Sequence, residues 1–419
     1  MPDQAECEDH REINVALRKE VTVTAIETQG RSDVVQNAAK LVPLLKSHAL
    51  WGEQNRQLHE ETVEALADAG VFRMRVPARY GGLESSNRTV IDVLGEVTKG
   101  DGSAAWVAQV NAITSWMACL LPDEVQDEIF ADPDTRLCGT LSPTGMCVPA
   151  DGGMVLTGKW GFISGAQHSQ WQMVIAIAPA PVPGPEVSFW PIMAAVPMSD
   201  LQIIDDWHTS GLRGSGSVTT VANGAFIPQQ RILPLPMVLT EQYASEANAA
   251  SPIYRTPLLP TASALSVGTA VGLANAAKEE FFERLSGRKI TYTSYENQNE
   301  APITHLRASQ ATMLTDEAAF HAQRLGTMVD AKGEDGSPWT ISDRALARAD
   351  MGRATELAME AVTILSLASG GSSVYNDVPI QRIVRDLHAI NLHALMHPAT
   401  NTELHGRILC GMEPNTLYI

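Results

Sequence analysis

Apolar positions along the chain fall into three regimes. From about residue 33, Val34, Val35, Ala38, Leu41, Val42 and Leu45 recur at helical spacing, and Val63, Leu66 and Ala67 repeat the pattern over 59–69. The spacing predicts further helices over about 89–98 and 103–121, with Gly70 ending the second helix and Pro122-Asp123-Glu124 opening a short one. Between about 135 and 238 the period drops to two. Met154, Leu156, Gly158, Trp160 and Phe162 alternate, as do Trp171, Met173, Ile175 and Ile177, and the runs 187–196 and 217–227 predict two more strands. Turns rich in proline and glycine, such as Pro179 to Pro185, separate them. From about 255 the helical period returns in long alanine-rich segments near 260–286, 302–332, 341–369 and 378–397. Ser342-Asp343 is expected to cap the third and Gly370-Gly371 to end it.

A chain of 419 residues exceeds one ordinary core, so several domains are expected. The expected division is a mobile N-terminal extension (1–33), an N-terminal helical domain (34–134), a middle β domain (135–238) and a C-terminal helical bundle (239–419). This is an α+β chain whose four last helices, joined by short connections, predict an up-down bundle. The clefts between such domains are common ligand sites.

Charge narrows the partners. With 30 Lys+Arg against 48 Asp+Glu the net charge is 30 − 48 = −18, which argues against nucleic acid or anionic membranes. Five widely spaced cysteines without CxxC argue against a zinc site or disulfide framework and suit a reducing cytoplasm. The polar start MPDQAECEDHREINV is no signal peptide, and no long uninterrupted apolar run predicts a membrane span. No GxGxxG follows a strand, so no nicotinamide site is visible.

Candidate chemistry gathers at a few places. Ser164 follows Trp160 and Phe162 at period two, so it is expected on the face of those rings; the plainer reading is a serine closing a strand before Gly165. Gly211 to Ser217 form a Gly/Ser segment whose backbone N–H groups and Arg213 suit a phosphate or a ring edge, or only a turn. On a helix over 378–397, His388 lies roughly 140° from His393, while His397 shares its face. No HExxH or further carboxylates join the pair, so no metal is expected. Trp106 and Trp116, about 80° apart on a helix, are candidate cavity walls; core packing is preferred for Trp116, and Trp106 and His208 are kept as pocket candidates.

Eight segments in order resemble the acyl-CoA dehydrogenase superfamily over about residues 35–419. They are VPARYGG (76–82), DGSAAW (101–106), GTLSPTG (139–145), GKWGFISGAQHSQW (158–171), GLRGSGS (211–217), FIPQQRI (226–232), ASGGSSVYNDVPIQRIVRD (368–386) and HGRILCG (405–411). The resemblance implies the fold of that superfamily: helical N-terminal domain, β-barrel-like middle domain and C-terminal four-helix bundle. Dehydrogenases of this fold place a glutamate eight residues after the Asp of the Arg385-Asp386 pair, where this chain has Ala394, and Arg255 to Ala274 contain no acid that could replace it.

The details resemble instead the flavin-dependent monooxygenases of the fold, the oxygenase components of two-component systems of the p-hydroxyphenylacetate hydroxylase type. That branch implies reduced FMN or FAD supplied by a separate flavin reductase, O2 as co-substrate, a C4a-hydroperoxide and hydroxylation of an aromatic or polyketide-like substrate. Amino-sugar N-hydroxylation on the same scaffold, acyl-CoA dehydrogenation and a non-catalytic flavin-binding role stand as alternatives. By resemblance, Gly139 to Gly145 form a loop whose Leu141 and Ser142 contact the flavin, as do Trp160, Ser164, Arg213 and Ser215. Arg288 and Ser369-Gly370-Gly371 reach the flavin of a neighbouring subunit in a homotetramer. Ser164 guards flavin N5, and His393 takes the substrate proton, with Trp106, His208 and His397 around the substrate.

Overall fold

The computed structural model describes residues 33–180 and 189–419. The expected N-terminal extension, most of the turn after Pro179 and the first residues of the run 187–196 lie outside the described residues.

Five helices open the chain: α1 (33–55), α2 (Glu60–Asp68), α3 (Asn87–Gly100), α4 (Gly102–Ala118) and α5 (Asp123–Ile129). Three starts are capped by side chains that accept orphan backbone N–H groups: His59 from Glu61, Ser86 from Thr89 and Asp101 from Ser103. Leu45, Leu66, Phe72, Val93, Leu94, Ala104 and Ala108 close a core between the helices.

The middle domain is one seven-stranded sheet, β1 (Leu137–Ala150), β2 (Gly153–Ile163), β3 (Trp171–Pro179), β4 (Phe189–Pro197), β5 (Gln202–Ile204), β6 (Val218–Pro228) and β7 (Ile232–Pro234), in the order β5-β6-β2-β1-β3-β4-β7. It is open, with β5 and β7 at its edges, but curls until β4 meets β6 around Leu156, Trp160, Ile163, Val174, Ala194 and Ala222. All neighbours pair antiparallel except β1 and β3.

Two sequence expectations need correction here. Gly139 to Gly145 is part of the long strand β1, not a free loop; its Gly, Pro and Ser residues are absorbed by register shifts against β3 between Gly139 and Pro143 and between Pro143 and Gly145. Trp160 and Phe162 do not share a face. Phe162 adopts φ 62, the pairing with β6 slips between Trp160 and Ile163, and the ring of Phe162 is 72% exposed while Trp160 is fully buried.

After the short α6 (Leu235–Leu239) the chain forms α7 (Leu258–Glu283), α8 (Pro302–Asp335), α9 (Ile341–Ala368), α10 (Pro379–Asn391) and α11 (Pro398–Leu409). Thr340, not Ser342, caps α9, and Asp343 reaches back to complete a capping box. The helix expected over 378–397 ends at Asn391 as α10, and residues 392–397 are the turn between it and α11. α10 already ends at Asn391, and Pro398 bars a helix from running through 394–397 into the next one: it has no N–H to donate and its ring crowds the preceding turn. It starts α11, which lies back on α9. Among the described helices α7 alone is long and apolar enough to cross a membrane, yet it is buried between α3, α4, α8, α9 and α10. The four described cysteines are free.

Candidate functional site: three domains along one helix

The middle of the molecule is organised by α4. Apart from Val110 and Ile113, every residue of this helix is buried, because it meets the N-terminal core on one side, the sheet on another and the C-terminal helices on a third. A side chain built at Gly102 would touch Asp386 Oδ2 of α10, and one at Gly214 would touch Ser103. Gly165 packs on Val107 and Gly139 of β1 on Thr114. At 1.5 Å per residue these contacts spread over roughly 18 Å of helix. Thus α4 sets the spacing between the 211–217 segment, the end of β2 and the irregular part of β1.

Trp106 is the centre of this arrangement. Its Nε1 donates to Ser164 Oγ at 2.9 Å. Ser164 Oγ lies 2.6 Å from Ser217 Oγ, Ser217 Oγ 2.7 Å from Ser215 Oγ, and Ser215 Oγ donates to Leu212 O at 2.7 Å. The Leu212 carbonyl also accepts from Trp207 Nε1 at 3.0 Å. Gly165 N donates to Ser215 O, fastening the end of β2 to the segment. The segment is held from below by Asp386, whose Oδ1 accepts from Leu212 N at 2.6 Å. Burial pushes the Asp386 carboxyl up to about 7, against the Leu212 hydrogen bond and with help from Asp101. Leu212 and Gly216 both take left-handed backbone conformations, φ 50 and 53, which turn the serine side chains inward.

The indole of Trp106 also meets His393. Its ring meets Trp106 edge-on, with centroids 5.2 Å apart at 74°. His393 sits in the 392–397 turn, not on a helix, so the expected helical angle to His388 does not apply. Desolvation by the surrounding protein pushes its pKa down to about 4, although the residue is exposed at the surface. His397 N donates to His393 O, and His397 Nδ1 is buried without a protein partner.

The remaining candidates fall in different places. Trp160 points into the sheet core and donates to Ile175 O at 2.9 Å. Leu141 O accepts from Tyr418 Oη at 2.8 Å, and Ser142 is exposed where β1 leaves its register. Arg213 donates from Nε to Glu53 O and leans on α1. His208 is exposed beside Asp205 and Asp206. Trp116 is core, its Nε1 donating to Ile253 O. Arg288 and the 369–371 turn form a cluster of their own: Arg288 Nη2 donates to Ser369 O and to Ser372 Oγ, with the buried Nη1 of Arg284 unpartnered. His48, His59 and Glu61 also approach one another, but the two rings stack at 4.1 Å and His59 Nδ1 already accepts from Glu61 N, so their lone pairs do not converge.

Sequence reasoning passed over Ser217 and Asp386. The alternation in Gly214-Ser215-Gly216-Ser217 is the signal that could have found Ser217, because period two puts both hydroxyls on one side. Asp386 carried no such mark.

These residues fit a planar heteroaromatic ring with polar edges. The backbone of 140–142 leaves its register with β3, the Thr140 hydroxyl is held only by long bonds of 3.4 Å to Ser142 Oγ and from Ser142 N, and Ser164 Oγ has a lone pair to spare.

Comparison with known proteins agrees with the architecture. The chain matches the acyl-CoA dehydrogenase N-terminal domain over 31–129 and the acyl-CoA dehydrogenase C-terminal domain over 264–398. It is 29% identical over 406 residues to the flavin-dependent monooxygenase oxygenase subunit HsaA of Mycobacterium tuberculosis, covering 95% of this chain and 100% of HsaA. It is 28% identical to the oxygenase component of the FADH(2)-dependent resorcinol hydroxylase of a Rhizobium species, covering 94% and 97%. The structure of XiaF from a Streptomyces species, in complex with FADH2 and glycerol, superposes with a TM-score of 0.88 at 26% identity over 94% of this chain and 99% of XiaF. With both family domains in place around this sheet, the chain belongs to the acyl-CoA dehydrogenase superfamily, beside its flavin-dependent monooxygenase oxygenase subunits.

Proposed function

We propose that this chain is the oxygenase component of a two-component flavin-dependent monooxygenase in the cytoplasm. It takes reduced FMN or FAD from a separate reductase and hydroxylates an aromatic, phenol-like substrate with O2. The observation that carries this reading is the single indole of Trp106 that donates to Ser164 and meets the ring of His393, the three residues coming from different domains. The dehydrogenase alternative lacks its base: Ala394 lies in the 392–397 turn, and the first acid along α7 is Glu279, near its far end.

When bound, the reduced flavin supplies the electrons that activate O2 and allow one oxygen atom to reach the substrate. The chain's own residues do the rest. Ser164, Ser142 and the Leu141 backbone hold the ring, and Ser215 holds Ser164 through Ser217. Trp106 and the buried face of α4 exclude water. His393, neutral at physiological pH, accepts the proton of a phenol; losing that proton raises electron density on the substrate ring. A substrate named for two phenolic hydroxyls, in the resorcinol hydroxylase relative, supports this class.

Arg288 and Ser369 to Gly371 are read as the site for a phosphate of the flavin bound by a neighbouring subunit. An exposed apolar stripe on α8, Ile303, Leu306, Met313 and Phe320, supplies a face for assembly. The expected solution species is a homotetramer of the 45.1 kDa chain, and light scattering measures it; a monomer at micromolar concentration would leave Arg288 without that role.

The functional test mixes the protein with anaerobically reduced FMN or FAD, a phenol panel and isotopically labelled O2. The expected result is a phenol gaining one labelled oxygen atom. Tight oxidised flavin bleached by an acyl-CoA, with no labelled product, would sink the reading. Label carried on an amine would move the activity to N-hydroxylation.

A further inference from the structure

The serine chain beside Trp106 has only one way to place its protons. At one end stands an indole N–H, which can only donate; at the other stands the Leu212 carbonyl, which can only accept. Four hydrogen bonds link these ends, and the indole with three hydroxyls supplies four protons. Ser215 spends its proton on Leu212 O. Ser217 must then donate to Ser215, and Ser164 must donate to Ser217. The Leu212 carbonyl cannot swing away, because Asp386 grips the amide of the same residue and Trp207 donates to the same oxygen. Ser215 and Ser217 are buried at 1% and 3% exposure, so water does not offer a competing partner. Ser164 is left with one free lone pair and no free proton.

We propose that Ser217 and Ser215 are positioning residues that lock Ser164 as a pure acceptor and so make the site select the flavin that carries a hydrogen on N5, the reduced form. This rests on the reading above that Ser164 faces the flavin ring. Reduced flavin presents an N5–H donor to the free lone pair. Oxidised flavin presents a bare N5 acceptor, and two acceptors meet without a proton between them. An unmade bond at a buried acceptor weakens binding on the order of 10-fold. An oxygenase fed by a separate reductase benefits directly, since spent flavin leaves and reduced flavin replaces it.

The test measures the dissociation constants of oxidised and anaerobically reduced FMN and FAD for the full-length protein by equilibrium ultrafiltration, with no turnover required. Wild type should hold the reduced form more tightly. In Ser217→Ala the Ser164 proton is released and can turn to a bare N5, so the ratio of the two constants should shrink on the order of 10-fold, chiefly by tighter oxidised binding. For a two-electron couple that change lowers the midpoint potential of the bound flavin by about 30 mV. Ser217→Thr, which keeps the hydroxyl, should restore the wild-type ratio, and Ser215→Ala should shift it in the same direction as Ser217→Ala. A ratio unchanged in both alanine variants, or equal weakening of both forms with no rescue by threonine, would overturn the relay while leaving the monooxygenase reading in place. Failure of the wild type to bind reduced flavin would remove that reading and the relay with it.

Discussion

Replacing His393 by alanine should lower hydroxylated product on the order of 100-fold, the usual scale of a lost general base, while reduced flavin is still oxidised by O2. The missing product should appear as hydrogen peroxide, so peroxide released per flavin consumed should approach one. The separation follows from position. His393 meets Trp106 through a ring contact, whereas Ser164 is held by Trp106 Nε1 and Ser217 Oγ. Removing the imidazole therefore strips the proton acceptor from the substrate and leaves the serine chain intact. With its pKa held down to about 4, His393 is neutral through the physiological range. The profile of kcat/KM should accordingly lack the break near 6.5 that an ordinary histidine gives, and this group's contribution should fade only as pH falls toward 4. If product and flavin oxidation fell together in His393→Ala, the residue would be holding the flavin rather than the substrate.

Gly211→Ala should be among the most damaging single-methyl changes in the molecule. A Cβ there would lie 2.0 Å from Arg385 O and 2.5 Å from Arg385 C, both rigid backbone of α10. The segment must retreat, and the first interaction lost is the bond from Leu212 N to the buried Asp386. Overpacking and the loss of a hydrogen bond to a buried carboxyl together cost about 3 kcal/mol. Because the chain has several domains, the shift is best followed as a thermal midpoint together with reduced-flavin affinity. Both should fall, and Gly211→Ala should weaken flavin binding more than a cavity elsewhere in the bundle does. A variant with wild-type midpoint and wild-type flavin affinity would show that the contact between the segment and α10 does not matter.

Much of this architecture is legible in the residues, and the failures have physical causes. Helices on one-sided cores show their period, as 34–45 and 63–67 do, and 171–177 alternates larger apolar residues with Gln172, Val174 and Ala176 although both of its faces are buried. β1 hides because it is paired on both sides and bulged, so its Gly, Pro and Ser residues look like a loop. Phe162 breaks the alternation with a left-handed backbone that its own side chain gives no reason to expect. The turn holding His393 is marked only by Pro398, against apolar positions that continue the helical period through it. Ser164 and His393 were named from resemblance, but that one tryptophan joins them is a fact of distance. The direction of the protons between Ser164 and Leu212 needs every link of the chain, and no single residue carries it.

The three-way contact of α4 has a consequence for how this enzyme can change. One residue inserted within α4 would advance every later contact by about 1.5 Å and swing it by about 100°. Trp106 and Val107 would then no longer face Ser164 and Gly165 at the same time as Thr114 faces Gly139. The side proposed for the flavin is thus written to a fixed pitch and tolerates no change of length. The proposed substrate side is bound to no helix pitch: His393 rides on a turn between two helices that is anchored by buried Met396 and by Asn401, while 392–394 are exposed. On the proposed reading, new substrates are reached by substitutions at the exposed positions 392–394, while the reduced-flavin half stays as it is.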